Sequence, residues 1–157
     1  MFGGAWDWLT ADVTLLGLPL AFVLGALVGL EREWRRNAGG LRPCVLVCTT
    51  AAAFADLVVV RVDPGNLGAG FGAIATGVGF LGAGAIMKDG ASIRGLSTAA
   101  TLWCLAAIGA NAGAGEEVAA IWLTLLVLAV NIVLKPAARV VRRRRPPRSE
   151  DEGLMEG

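Results

Sequence analysis

Five apolar stretches follow one another along the chain, at residues 13–30, 44–62, 70–87, 97–112 and 118–134, and nearly all charges fall between them. Polar backbone in hydrocarbon must be satisfied within its own segment, so such stretches are helices wherever they cross a bilayer. The pattern predicts an all-α polytopic transmembrane bundle of about five spans. The predicted spans are 16–19 residues long, short for a hydrocarbon core of about 30 Å at ~1.5 Å per residue. The helices are therefore expected to reach into the flanking loops. Residues 77–84 hold Gly77, Gly79, Gly82 and Gly84, a poor helix in water, where each Gly costs about 1 kcal/mol relative to Ala. In a membrane small residues let helices approach closely, and these four predict a central helix packed on more than one side. Gly25 and Gly29 form a second small-residue pair, on the first span.

The ends of each stretch carry turn and cap signals. Asp12 or Thr10 suits the N-cap of the first helix, Pro43 the first turn of the second, and Ser97 or Thr98 the N-cap of the fourth. Arg61, Asp63, Pro64, Gly65 and Asn66 make the second turn, and residues 88–95 read as a loop. Trp6 and Trp8 suit a membrane interface.

Composition sharpens the class. The 157 residues are 55% hydrophobic and 17% charged, with mean hydropathy +0.65, against about 25% charge in a soluble domain. With five spans, the segments 31–42, 88–96 and 135–157 share one side, and they hold thirteen of the fourteen Lys and Arg residues. Arg61 alone lies opposite. The positive-inside rule then puts the N-terminus outside and the C-terminus in the cytoplasm. The chain divides into an external segment, 1–12, a five-helix domain, 13–134, and a basic then acidic cytoplasmic tail, 135–157. The run of arginines at 142–145 is a topology anchor in contact with anionic lipid heads. Cys44, Cys48 and Cys104 lie inside apolar stretches and read as small buried residues rather than a disulfide framework or a metal site.

Few residues carry candidate chemistry. Glu31, Arg32, Glu33 and Arg42 bracket the first cytoplasmic loop as a charge cluster. The positive-inside rule explains its arginines but not Glu31 and Glu33. Glu31 reads either as an inter-helix lock, paired with Arg42, or as an ion ligand. Asp56 is an acidic residue well inside a span, and intramembrane carboxylates default to a functional role. Ser97, Thr98 and Thr101 open the fourth helix beside Lys88 and Arg94. Capping explains Ser97, and a helix N-terminus with flanking cations is also able to hold a lipid phosphate. Asn111 and Asn131 read as inter-helix hydrogen-bond partners. With no His, no nucleophile beside a base and no phosphate loop, the chain is read as non-enzymatic, with no cofactor and no nucleic-acid partner. The sequence leaves a metal undetermined.

The segments Gly25-Ala-Leu-Val-Gly-Leu-Glu-Arg-Glu-Trp34, Gly40-Leu-Arg42, the glycines of 77–84, Arg94-Gly-Leu-Ser-Thr-Ala-Ala-Thr-Leu-Trp-Cys104 and Ala106-Ala-Ile-Gly109 resemble the MgtC/SapB family of bacterial inner-membrane proteins. The resemblance covers roughly residues 24–135. It implies a bundle of about five spans with the C-terminus inside. For the better-studied MgtC branch it also implies a link to magnesium limitation and survival inside host cells, with action on other membrane proteins, including ATP synthase. Members of the better-studied branch often carry a C-terminal domain of the ACT type, and this chain is read as a short form without it. Pro43, Thr50 and Asp56 depart from the family pattern, where Thr, Gly and a small or apolar residue are usual. The expected partners are the lipid bilayer, further copies of the chain as a homo-oligomer, and a larger membrane protein. The alternative is an ion or small-solute transporter, for magnesium among others, using Glu31, Glu33 and Asp56, since magnesium takes oxygen ligands and keeps several waters.

Overall fold

The computed structural model describes residues 12–62, 66–90 and 92–134. The external segment, most of the turn at 63–65 and the basic tail therefore lie outside the described residues. Five helices make up an all-α polytopic bundle: α1 (Asp12–Trp34), α2 (Leu41–Arg61), α3 (Leu67–Ala85), α4 (Leu96–Gly113) and α5 (Glu117–Ala129). The last continues through a π-helical turn, Val130–Leu134. α2, α3, α4 and the continuous α5 stretch Glu117–Leu134 are each long and apolar enough to cross a membrane. α1 has 23 residues, its uncharged part ending at Leu30.

As expected, the helices overrun the apolar stretches. α1 continues four residues past Leu30, through Glu31, Arg32 and Glu33 to Trp34. It stops where Arg36 takes a left-handed φ of 52°. There Asn37 N donates to Arg32 O at 3.0 Å and Arg36 N to Glu33 O at 2.9 Å, the paired bonds that close a helix C-terminus. Pro43 sits in the first turn of α2, where a missing N–H leaves no helix bond unmade. The predicted loop after α3 instead folds into an antiparallel hairpin, β1 (Met87–Asp89) on β2 (Ser92–Arg94), with Lys88 opposite Ile93. All six strand residues are exposed.

The centre of the bundle is α4, which packs against α1, α2, α3 and α5. Eight of its residues are buried, including Thr101, Leu105, Ile108 and Ala112. The expectation of a central third helix is corrected: α3 buries Gly82 alone. A Cβ on Gly82 would meet Ala99 Cβ at 3.6 Å, an ordinary contact, and on Gly77, Gly79 or Gly84 nothing within 4 Å. The close approaches occur elsewhere. A Cβ on Gly25 would lie 2.8 Å from Cys48 Cβ, and one on Gly29 would lie 2.9 Å from Leu41 Cα. Gly109 and Gly113 face the carbonyls of Cys48 and Ala52 so closely that no side chain fits. Two small-residue pairs, one on α1 and one on α4, thus grip α2 from different sides. Cys44 and Cys48 are buried between them.

Candidate functional site

Along the described part of α1 the buried positions other than glycine are Ala21, Leu24, Val28 and Arg32. Their spacing of three or four residues marks one helix face turned to the core. The fourth member is a guanidinium, only 2% exposed. A buried cation is costly unless its donors are satisfied, and four bonds do this. Nε donates to Gly39 O at 2.9 Å, Nη1 to Thr101 Oγ1 at 2.9 Å, and Nη2 to Thr98 Oγ1 at 2.9 Å and to Ala38 O. All of these partners are neutral oxygens, and the bonds occupy four of the five N–H groups a guanidinium carries. The hydroxyls are themselves anchored, Thr101 Oγ1 donating to Ser97 O at 2.8 Å and Thr98 Oγ1 to Ala38 O at 3.2 Å. Arg32 thus ties the end of α1 and the following turn to the first turns of α4, 66 and 69 residues away in sequence.

The local chain makes this latch possible. Gly39 has φ 69°, which favours glycine, and a Cβ there would lie 2.8 Å from Thr98 Cγ2. At the entry to α4 the N-cap is Gly95, with φ 87° and no side-chain capping bond. Ser97 and Thr98 are therefore not the N-caps that the sequence suggested. The hairpin delivers the chain through Gly95 so close to the Ala85 carbonyl that only glycine fits. The helix begins before either hydroxyl, and Thr98 and Thr101 are left to receive Arg32.

The other predicted residues scatter. Glu31 pairs with Arg35 one turn on, Oε1 lying 2.7 Å from Nε. The proposed Glu31–Arg42 lock is not formed, because α1 stays helical past Glu31 and puts Arg35 on the same face. Arg42 is exposed. Glu33 Oε2 accepts from Leu41 N at 3.1 Å, satisfying an otherwise unpaired donor at the start of α2. Asp56 is half-buried on α2, fifteen residues beyond Leu41 and so about 22 Å along the helix axis. Among the described residues no three acidic, cysteine or histidine side chains form a group fit for a metal ion. Asn111 Nδ2 donates to Ala107 O of its own helix at 2.8 Å rather than across helices. Asn131 is buried in the π-helical turn, and its Nδ2 has no hydrogen-bond partner among the described residues.

The sequence places Arg32 in a charge cluster, read as a grip on an ion or partner or as a topology anchor, and neither reading is a latch to α4. The signal passed over was the stripe from Ala21 through Leu24 and Val28, which arrives at Arg32. The packing role of Gly109 and Gly113, one turn apart on α4, is hidden for a different reason: glycine density singles out α3 instead.

Fold and site together define an integral-membrane α-helical bundle whose first helix is latched to its central one by a buried arginine. The chain belongs to the MgtC family, whose model matches residues 18–140. It is 45% identical over 131 residues to Protein MgtC of Salmonella typhimurium, covering 82% of this chain and 55% of that one. Protein MgtC of Brucella abortus is 43% identical over 137 residues, covering 85% and 56%. An uncharacterized protein of Synechocystis is 40% identical over 131 residues, covering 83% and 56%. The chain spans about half the length of the curated relatives it matches. No solved structure matches it.

Proposed function

We propose that this protein is a non-enzymatic component of the bacterial inner membrane that acts by lateral association with other membrane proteins, in adaptation to magnesium limitation or related stress. The observation that carries the reading is the outer face of α3. Gly68, Gly72, Thr76, Gly79 and Ala83 are all exposed, and their spacing of three or four residues puts them on one side of the helix. No Cβ built on Gly68, Gly72 or Gly79 meets anything within 4 Å. Small residues aligned this way let a second helix come close, which is what association in lipid requires. The family membership supports the link to magnesium, and the latch at Arg32 ties α1 to α4 elsewhere in the bundle.

The transporter reading draws less support. Glu33 is engaged at the start of α2 and Asp56 lies near the other end of that helix, so the carboxylates it would use do not converge.

The test is capture of the tagged protein from native membranes, as wild type and as Gly79→Leu. Wild type is expected to bring down a membrane partner that the variant loses at equal abundance. Equal recovery of the partner by both would overturn the proposal, as would vectorial ion flux through liposomes containing this protein alone.

A further inference from the structure

Between α2 and α3 lies a groove of about 590 Å³, walled by α2 from Leu46 to Val62 and by α3 from Gly70 to Leu81. No charged side chain lines it, and Leu46 and Phe54 on its α2 wall are 63% and 54% exposed. The two helices meet closely at one end. A Cβ on Gly70 would lie 2.6 Å from Val58 Cγ1, whereas one on Gly77, two turns further along α3, would meet nothing within 4 Å. α3 therefore leans away from α2 as it leaves the turn that joins them. By the distribution of charge that turn is external, so the groove is closed toward the outside and opens toward the cytoplasmic half of the membrane.

Its dimensions narrow the occupant. From Leu46 to Val62 α2 rises about 24 Å, so this volume amounts to a mean section of roughly 25 Å², a passage about 6 Å across. A helix with its side chains is ~10–12 Å thick, and would lie across the mouth rather than fill the groove. Methylene carbons pack ~4 Å apart, so a hydrocarbon chain enters. Charge supplies the other end of the molecule. Arg42 stands one turn before Leu46 on the same side of α2, at the cytoplasmic end of the groove. It is exposed, and the ion pairs of the described residues, Glu31–Arg35 and Asp89–Arg94, leave it out. Its guanidinium fork matches phosphate oxygens. A cation at the headgroup level followed by an apolar wall running inward repeats the order of a phospholipid, phosphate first and acyl chain after.

We propose that this groove binds a phospholipid of the cytoplasmic leaflet, with an acyl chain lying between α2 and α3 and the phosphate resting on Arg42. The site is separate from the small-residue face of α3, since Gly68, Gly72, Thr76, Gly79 and Ala83 line no part of it.

The experiment is native mass spectrometry of the full chain, taken from vesicles that hold phosphatidylglycerol and diacylglycerol in equal amounts with matched acyl chains. Wild type is expected to retain phosphatidylglycerol in preference, and Arg42→Gln to reduce that preference about tenfold, the loss typical of a bond to a charged group. Gly77→Leu puts a side chain into the open part of the groove and should strip both lipids, while Gly79→Leu, on the other face, should keep them. Wild-type protein that carries no lipid, or shows no preference, overturns the assignment whatever the variants do. So does a preference undiminished in Arg42→Gln, or retention unchanged in a Gly77→Leu protein of wild-type helicity. A lipid-free dimer that Gly77→Leu dissociates would give the groove to a second copy of the chain and equally overturn it.

Discussion

At position 32 the chain places a cation on the helix face that Ala21, Leu24 and Val28 turn to the core, and spends two threonines and two turn carbonyls to keep it there. The geometry of the fork is what makes this tolerable, because one planar group reaches partners on both the turn and α4. Arg32→Lys keeps the charge but has three donors radiating from a single nitrogen, and should cost about 2 kcal/mol through bonds it cannot span. Replacing Thr98 and Thr101 together by Val leaves the guanidinium half-satisfied, and should cost about 2–4 kcal/mol. Thermal unfolding in detergent, followed by helicity, measures both. If the two changes are combined, the costs should fall well short of adding, as expected for groups within one network. Stability indistinguishable from wild type in either case would remove the latch from the fold. At this scale the sequence was partly legible. Arg32 stood out as one of four charges near a loop, but its burial depends on which face of α1 meets α4, a tertiary fact. Glu31 and Arg35 were legible as an i, i+4 pair only once α1 was known to run past Leu30.

Helices were the most readable elements, since long uncharged stretches in a membrane have one conformation open to them. Their places in the bundle were not. Glycine density singled out α3, yet close packing is decided by what lies opposite. On α4, Gly109 and Gly113 face α2 carbonyls with no room for a Cβ, while a Cβ on Gly79 of α3 would meet nothing within 4 Å among the described residues. Gly109→Leu or Gly113→Leu should therefore abolish accumulation of folded protein, by overpacking worth several times the usual ~1–3 kcal/mol since backbone must move. Gly79→Leu should fold normally. Quantifying each variant in membranes, with detergent-solubilised dispersity, distinguishes the two. Normal accumulation of both α4 variants would contradict the central position of α4. The hairpin between α3 and α4 was also hidden, because strands of three exposed residues carry no buried alternation to read.

For the whole molecule the distribution of charge and the exposed face of α3 make separate demands. Thirteen basic residues against one require a reporter fused after Leu134 to be cytoplasmic and one fused before Val13 to be external. Finding both on one side would break the five-helix topology. The central claim, that the protein works through the small-residue face of α3, is tested most directly in native membranes. A photocrosslinking side chain is placed singly at each position from 68 to 84 on α3, and at Leu125 on the exposed side of α5. The account predicts protein adducts that peak at 68, 72, 76, 79 and 83, with Leu125 yielding lipid adducts alone. Protein adducts with no helical period along α3, or as abundant at Leu125 as at Gly79, would contradict it.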